Sequence, residues 1–472
     1  MKRVFLPIII STAFSMAKPI DGEFIKVYEQ WELPKGETLT ISKIGVTFNF
    51  TPYWFGGINL YGATAGERGG FFTFGFESGL QTDPKKLLQL RSGVFVGAGG
   101  GGAAPQGGGL MLREFIETRV NLKYASIGAG VSHVEFPNGD ISSSQGFVSL
   151  YIPFTIQKDE SESYYLKDFL LKNKIYIKGG KYLVDSSAKT TKGEPLDDLT
   201  LIGIEAQGFF NEYLFTTFSL MGANGGNADG YMEVFGGFGV EKQIFNLPLY
   251  GSIIAELGMG GGGKVDTGGG SMYKVRGTLE TKLFKNLRVG VEGGFAKSFK
   301  GTFEAKYVGV YFGFKSYFGD KSNNLDGYAI RALSKVHLSS KGDFKDPNKD
   351  EKIYLEGLAI DKYLNDNLYL TGQSLWAFKG ESGGYTEGFL GVGYKTSLFN
   401  SLYFRGELLV GAAGGGGVKT GGLIGSFNSS IDYKINKNFS ISIGGGYTKA
   451  KEGLSCADVS IALEYKFNIY SK

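Results

Sequence analysis

The stretch DVSIALEYKFNI, Asp458–Ile469, puts Val459, Ile461, Leu463, Tyr465 and Phe467 on one face of an extended chain. Asp458, Ser460, Glu464 and Lys466 fall on the other. Successive side chains alternate sides in a strand, whereas a helix needs apolar residues three and four apart. The same period of two recurs upstream. Val308, Val310, Phe312 and Phe314 alternate with Gly309, Gly313 and Lys315, and Phe72, Phe74 and Phe76 alternate with Thr73, Gly75 and Glu77. These segments read as strands with one greasy and one polar or glycine-bearing face.

The strands belong to a repeat. VGAGGGGAAPQGGG begins at Val96, GMGGGGKVDTGGG at Gly258 and VGAAGGGGVKTGG at Val410, so the glycine clusters recur about every 160 residues. Flanking segments recur with them: FFTFGFESGLQ, YMEVFGGFGVEKQIF and YTEGFLGVGYKTSLF before each cluster, and GFVSLYIPFTI, YVGVYFGFKSYF and DVSIALEYKFNI at each unit's end. Such self-similarity must be recognised before a fold is assigned. In the middle unit the alternation predicts eight strands: 174–184, 200–210, 214–223, 231–244, 250–259, 272–284, 288–297 and 302–318. The connections between them are alternately short turns and glycine-rich polar loops.

Gly258, Gly263 and Lys264 have the spacing of a phosphate-binding G-x-x-x-x-G-K loop. That chemistry needs a Ser/Thr hydroxyl next and a helix N-terminus behind it. Val265 occupies the hydroxyl position, the glycines that follow cannot start a helix, and Ala103 and Ala104 stand where the first unit would need the lysine. A tight reversal requiring positive φ explains a recurrence of glycine without lysine.

Composition agrees with a folded, exported all-β chain. The 472 residues include 76 glycines and 11 prolines, with 14% aromatics and a net charge of +4. So many aromatics argue against disorder, and the small charge argues against a nucleic-acid binder. MKRVFLPIIISTAFSMA, residues 1–17, has the basic start, short apolar core and small-residue end of a secretory leader. Cys456 is the single cysteine, so no intrachain disulfide forms.

An exported chain of alternating strands, with short turns on one side and longer loops on the other, fits a transmembrane barrel: apolar toward lipid, polar within, every backbone group paired by closure. SIALEYKF resembles the terminal strand of outer-membrane β-barrel proteins, and each unit resembles the small eight-stranded type, the membrane domain of outer-membrane protein A. The chain departs from the pattern in that Ile469, Tyr470, Ser471 and Lys472 follow the last phenylalanine. The expected fold is all-β, an antiparallel up-and-down transmembrane β-barrel architecture of about 24 strands in three repeats of eight. The expected divisions are a leader over 1–17 and repeats over 18–157, 158–318 and 319–472. Three tandem barrels are favoured over one wide barrel. Glu387, Phe389, Gly391, Gly393 and Lys395 share a polar face, as do Glu233, Phe235, Gly237, Gly239 and Glu241, and inward phenylalanine suits a narrow packed core.

The strongest chemical feature is an inward charge network of Lys274, Arg276, Glu280, Lys282, Glu233, Glu241 and Glu292, with Glu387 and Lys395 in the third unit. It reads either as an ion-selective passage or, for narrow barrels, as a core of paired charges. His133 and His337 lie in different units without an evident catalytic partner. DFKDPNKDE, Asp343–Glu351, only faintly resembles a calcium loop, and a solvated outer loop is the simpler reading. KDESESYYLKDFLLKN, from Lys158, reads as a linker or a short amphipathic helix, and Trp31, Trp54 and Trp376 are candidates for the lipid–water boundary. No catalytic residue, metal site or cofactor is expected. The expected role is a non-enzymatic outer-membrane protein with a structural or surface role and at most narrow pores. Its partners would be membrane lipids, with small solutes or ions conceivable and no nucleic acid. A single porin-like channel and an exported soluble binding protein are the alternatives.

Overall fold

The computed structural model describes residues 20–158, 164–166, 172–245, 247–284, 287–316 and 325–470. The expected leader lies outside them. The chain forms three closed antiparallel eight-stranded barrels.

Barrel 1 comprises β1 (Ile20–Leu33), β2 (Glu37–Asn49), β3 (Trp54–Gly66), β4 (Phe72–Gln81), β5 (Leu88–Gly100), β6 (Leu110–Asn121), β7 (Ser126–Glu135) and β8 (Ser142–Lys158). A short strand, β9 (Tyr164–Leu166), follows. Barrel 2 comprises β10 (Lys172–Val184), β11 (Leu199–Phe209), β12 (Leu214–Gly225), β13 (Met232–Gln243), β14 (Leu249–Gly261), β15 (Ser271–Lys282), β16 (Leu287–Ser298) and β17 (Glu304–Ser316). Barrel 3 comprises β18 (Leu325–His337), β19 (Ile353–Tyr363), β20 (Leu368–Lys379), β21 (Thr386–Phe399), β22 (Leu402–Gly414), β23 (Leu423–Lys434), β24 (Phe439–Ala450) and β25 (Ser455–Tyr470).

The first strand decides between one barrel and three. β1 pairs with β8, with Tyr28 opposite Val148, rather than with β25. β10 closes on β17, and β18 closes on β25 with Val336 opposite Val459. The single wide barrel is therefore excluded. β9 departs from the repeat: it pairs antiparallel with β8 and, through Tyr164 and Ile469, parallel with β25. It thus bridges barrels 1 and 3 although it lies within the expected second repeat; the rest of the stretch read as a linker or short helix, residues 159–163 and 167–171, lies outside the described residues.

The alternation is realised as inside and outside. Val459 and Ile461 are each 48% exposed on the outer wall, while their neighbours Asp458 and Glu464 are buried within. Each interior has an apolar cap at the loop end. Trp31, Tyr61, Phe95 and Met111 pack under the loop residues Phe71, Ala104, Phe136 and Ile141 in barrel 1. Val265 and Phe303 cap barrel 2, and Phe344, Val418 and Leu454 cap barrel 3. Trp31 is thus an interior residue, its indole donating to Glu29 at 2.9 Å, and does not mark a membrane boundary.

The barrels associate in a ring through their glycine loops. The β3–β4 loop of barrel 1 meets the β14–β15 loop of barrel 2. The β12–β13 loop of barrel 2 meets the β22–β23 loop of barrel 3, and the β20–β21 loop of barrel 3 meets the β5–β6 loop of barrel 1. The three contacts are equivalent. Gly70, Gly230 and Gly384, with φ of +84°, +87° and +83°, abut Gly261–Gly262, Gly414–Gly415 and Gly100–Gly101 respectively. Hydrogen bonds from Gly69 N to Gly268 O (3.1 Å) and Gln106 Nε2 to Gly383 O (3.2 Å) fasten two of the joints. The glycine clusters therefore serve backbone-to-backbone approach between barrels as well as local reversal. Trp376, also a boundary candidate from the sequence, is buried between barrels instead, stacked on Phe74 of barrel 1 with centroids 4.5 Å apart.

Candidate functional site

The inward faces of barrel 2 gather five cations and six carboxylates among the described residues into three ion-paired groups: one around Arg276, one around Lys174 and Glu280, and the pair Lys274–Glu233. Inward parity on neighbouring strands brings the groups together: Lys174 and Lys178 on β10, Glu205 on β11, Glu233 and Glu241 on β13, Glu256 on β14, Lys274, Arg276 and Glu280 on β15, and Arg288 and Glu292 on β16. Arg276 is the hub. Its guanidinium donates to Glu256 at 2.9 Å, Glu292 at 2.6 Å and Glu205 at 2.7 Å. Lys178 bridges Glu205 and Glu292 at 2.6 and 2.9 Å. Lys274 donates to Glu233 at 2.5 Å, and the Tyr182 and Tyr231 hydroxyls, each at 2.9 Å, complete that carboxylate's shell. Lys174 pairs with Glu241 and Glu280, and Arg288 reaches Glu280 at 3.2 Å.

Of the residues expected to face inward together, Lys274 and Glu233 pair with each other, Arg276 pairs with Glu292, and Glu241 and Glu280 share Lys174, so all six are buried in barrel 2 but in three groups. Lys282 does not join them: it is exposed at the short-turn rim of β15 and makes none of these ion pairs. The rim position, past the level where the interior is closed, leaves its ammonium in solvent. Glu387 and Lys395 sit apart in barrel 3. Glu387 accepts from His337 Nε2 at 2.9 Å and pairs with Lys335 at 3.4 Å, while Lys395 reaches Asp432 at 2.8 Å and Glu464 at 2.7 Å. Arg331 and Arg405 share Asp361 between them. Barrel 1 carries its own set, unanticipated from the sequence: Arg91 and Arg119 on Glu23, Arg113 on Glu29, and Lys43 on Glu77. Its signal was legible as inward parity on β1, β2, β4, β5 and β6.

These charges project into the barrel interiors. Buried charges are tolerated when paired and hydrogen-bonded, and here long side chains from opposite walls meet across the axis. The interior space beside Arg331, Gln373 and Arg405 in barrel 3 is about 30 Å³, room for a water or two.

The other candidate residues have local roles. His133 hydrogen-bonds Ser144 at 2.8 Å on the outer surface, and His337 is fully buried in barrel 3. The Asp343–Glu351 carboxylates staple loops: Asp343 accepts the Ser340 and Ser455 amides, and Glu351 the Glu381 amide and Ser382 hydroxyl. Among the described residues, no group of three or more His, Cys, Asp or Glu is arranged to hold a metal ion.

No protein-family description and no curated protein matches the chain. Among solved structures it is similar to OccAB3 of Acinetobacter baumannii, at 10% identity over 96% of this chain and 99% of that one, with a TM-score of 0.23. OccK11 of Pseudomonas aeruginosa gives 10% identity over 96% of each chain, also at 0.23. The siderophore receptor PirA of A. baumannii gives 8% identity over 95% of this chain and 80% of that one, at 0.30. At such scores the shapes superpose poorly, and the functional reading rests on this chain's own walls and interiors.

Proposed function

We propose that the chain is an integral outer-membrane protein whose three barrels span the lipid side by side, with a structural or surface-exposed role and no enzymatic activity. The carrying observation is the inversion of each wall. Val310, Ile253, Leu257, Ile443 and Val459 are exposed outside, while arginines, lysines and glutamates are buried and paired within. In water this arrangement would leave the apolar surface unsatisfied, whereas lipid solvates it and barrel closure pairs the backbone. The filled interiors argue against the porin-like alternative.

Two measurements test the reading. Extraction should require detergent, and the extracted protein should migrate differently on gels before and after boiling. Full solubility after expression without detergent would defeat the membrane assignment. In planar bilayers the purified protein should give no large, stable conductance step. A reproducible wide-pore step would restore the diffusion-channel alternative.

A further inference from the structure

The outward faces of the three barrels do not close against each other along the ring axis. They leave between them a half-open chamber of about 1630 Å³, about a hundred times the ~10–15 Å³ that admits one water. Equivalent strands wall it: β2–β4 of barrel 1, β11–β14 of barrel 2 and β19–β22 of barrel 3, with β1 and β8 adding to the barrel 1 side. Ile44, Phe76, Ile204, Phe218, Leu358 and Leu390 typify the lining. Lys26 is the cation on the wall, and its ammonium is seated 4.9 Å from the Tyr28 ring centroid. At the loop end the glycine joints, with Ser271 Oγ donating to Thr64 O across barrels, draw the rims together.

We infer that this chamber is a lipid site, holding the acyl chains of a glycerophospholipid that enters from the short-turn end. The inference rests on the membrane reading above. Water inside would find few hydrogen-bonding partners. An empty chamber would forfeit dispersion contacts along its whole lining. The barrels cannot collapse inward to fill it, because the glycine joints already stand at backbone contact. The medium that meets this wall in a bilayer is hydrocarbon. Because the glycine joints narrow the loop end, the polar head lies toward the opposite end, in the leaflet that faces the short turns.

The test is lipid retention by the full chain, purified in detergent, washed extensively and read by native mass spectrometry and by extraction. The wild type should keep a stoichiometric phospholipid. Ile204→Trp with Leu390→Trp, which push bulk into the chamber from two walls, should lower retention more than tenfold. Val310→Trp with Ile443→Trp, on strands outside the lining, should leave it unchanged. Heat-modifiable migration confirms that each variant is folded. In a Trp31→Phe/Trp54→Phe background, phospholipid with brominated chains should quench Trp376, which lines the chamber, and the quenching should survive washing. Complete delipidation of the folded wild type, or equal retention by the Ile204→Trp/Leu390→Trp and control variants, would overturn the site. A retained lipopolysaccharide in place of phospholipid would overturn the assigned ligand and entry side. Solubility without detergent would instead remove the membrane reading on which the site depends.

Discussion

A methyl group placed on Gly70 of barrel 1 would lie 1.9 Å from the backbone nitrogen of Gly262 in barrel 2. No rotamer relieves such an overlap, because both partners are backbone. Gly70 also holds φ at +84°, a conformation costing an L-residue about 1–2 kcal/mol. Position and conformation together reserve this joint for glycine, and the same holds at Gly230 and Gly384.

Replacing Gly70, Gly230 and Gly384 together by valine should therefore loosen the ring while leaving each barrel's own ladder intact. With protease sites introduced into segments 159–163 and 317–324, the cleaved wild type should still migrate as one particle on native gels. The cleaved triple variant should separate into single barrels.

Arg276→Met should be strongly destabilising, by roughly 3–5 kcal/mol, because it leaves three buried carboxylates facing one another without their common partner. Denaturant titration of the folded band in detergent would register the loss. Adding Glu256→Gln and Glu292→Gln should recover much of it.

Hollowing the same interior tests whether the network is the plug. A variant combining Lys274→Ala, Arg276→Ala, Glu233→Ala and Glu256→Ala, if folded by heat-modifiability, should conduct ions in planar bilayers where the parent does not.

Val310→Arg places a charge midway along an outward strand, at a residue that is 62% exposed. Charge at the midplane of a lipid-facing wall costs about 2–4 kcal/mol, whereas an exposed residue of a water-soluble protein would accept it with little change. Folding equilibrium in vesicles discriminates between the two.

Trp376→Leu should weaken the contact between barrels 3 and 1 by about 0.5–1.5 kcal/mol beyond the area lost. Its effect should not add to that of Phe74→Leu, since the two rings stack on each other. A double-mutant cycle on thermal stability measures this coupling.

The strands and their faces were legible because a period of two survives wherever one side meets a different medium from the other. The pairing of Val459 and Ile461 against Asp458 and Glu464 needed no tertiary knowledge. The choice of three closures was foreshadowed by Phe235 and Phe389 on otherwise polar faces, since both are buried in narrow interiors. The sequence hid whatever depends on neighbours across barrels. The glycine clusters announce a turn, but nothing in one chain segment says that another backbone lies against it. Trp31 shows a different limit: an indole at a strand end suits an interface or a capped core equally, and only the Glu29 acceptor decides. Ion partners such as Glu205 and Lys178 were missed because pairing across a barrel depends on strand order and stagger, which parity does not carry.

The repeats have kept the joint and changed the filling. Five residues before the joint glycine, the inward side chain is Phe95 in barrel 1, Glu256 in barrel 2 and Leu409 in barrel 3. Each barrel presents one loop to the next and a different loop to the one before, so the arrangement has a head and a tail and is complete at three. A molecule shortened to two barrels would carry one unmatched loop at either end. The simplest way to satisfy both is to borrow a barrel from another copy, so truncation turns a self-contained particle into one that assembles with its neighbours.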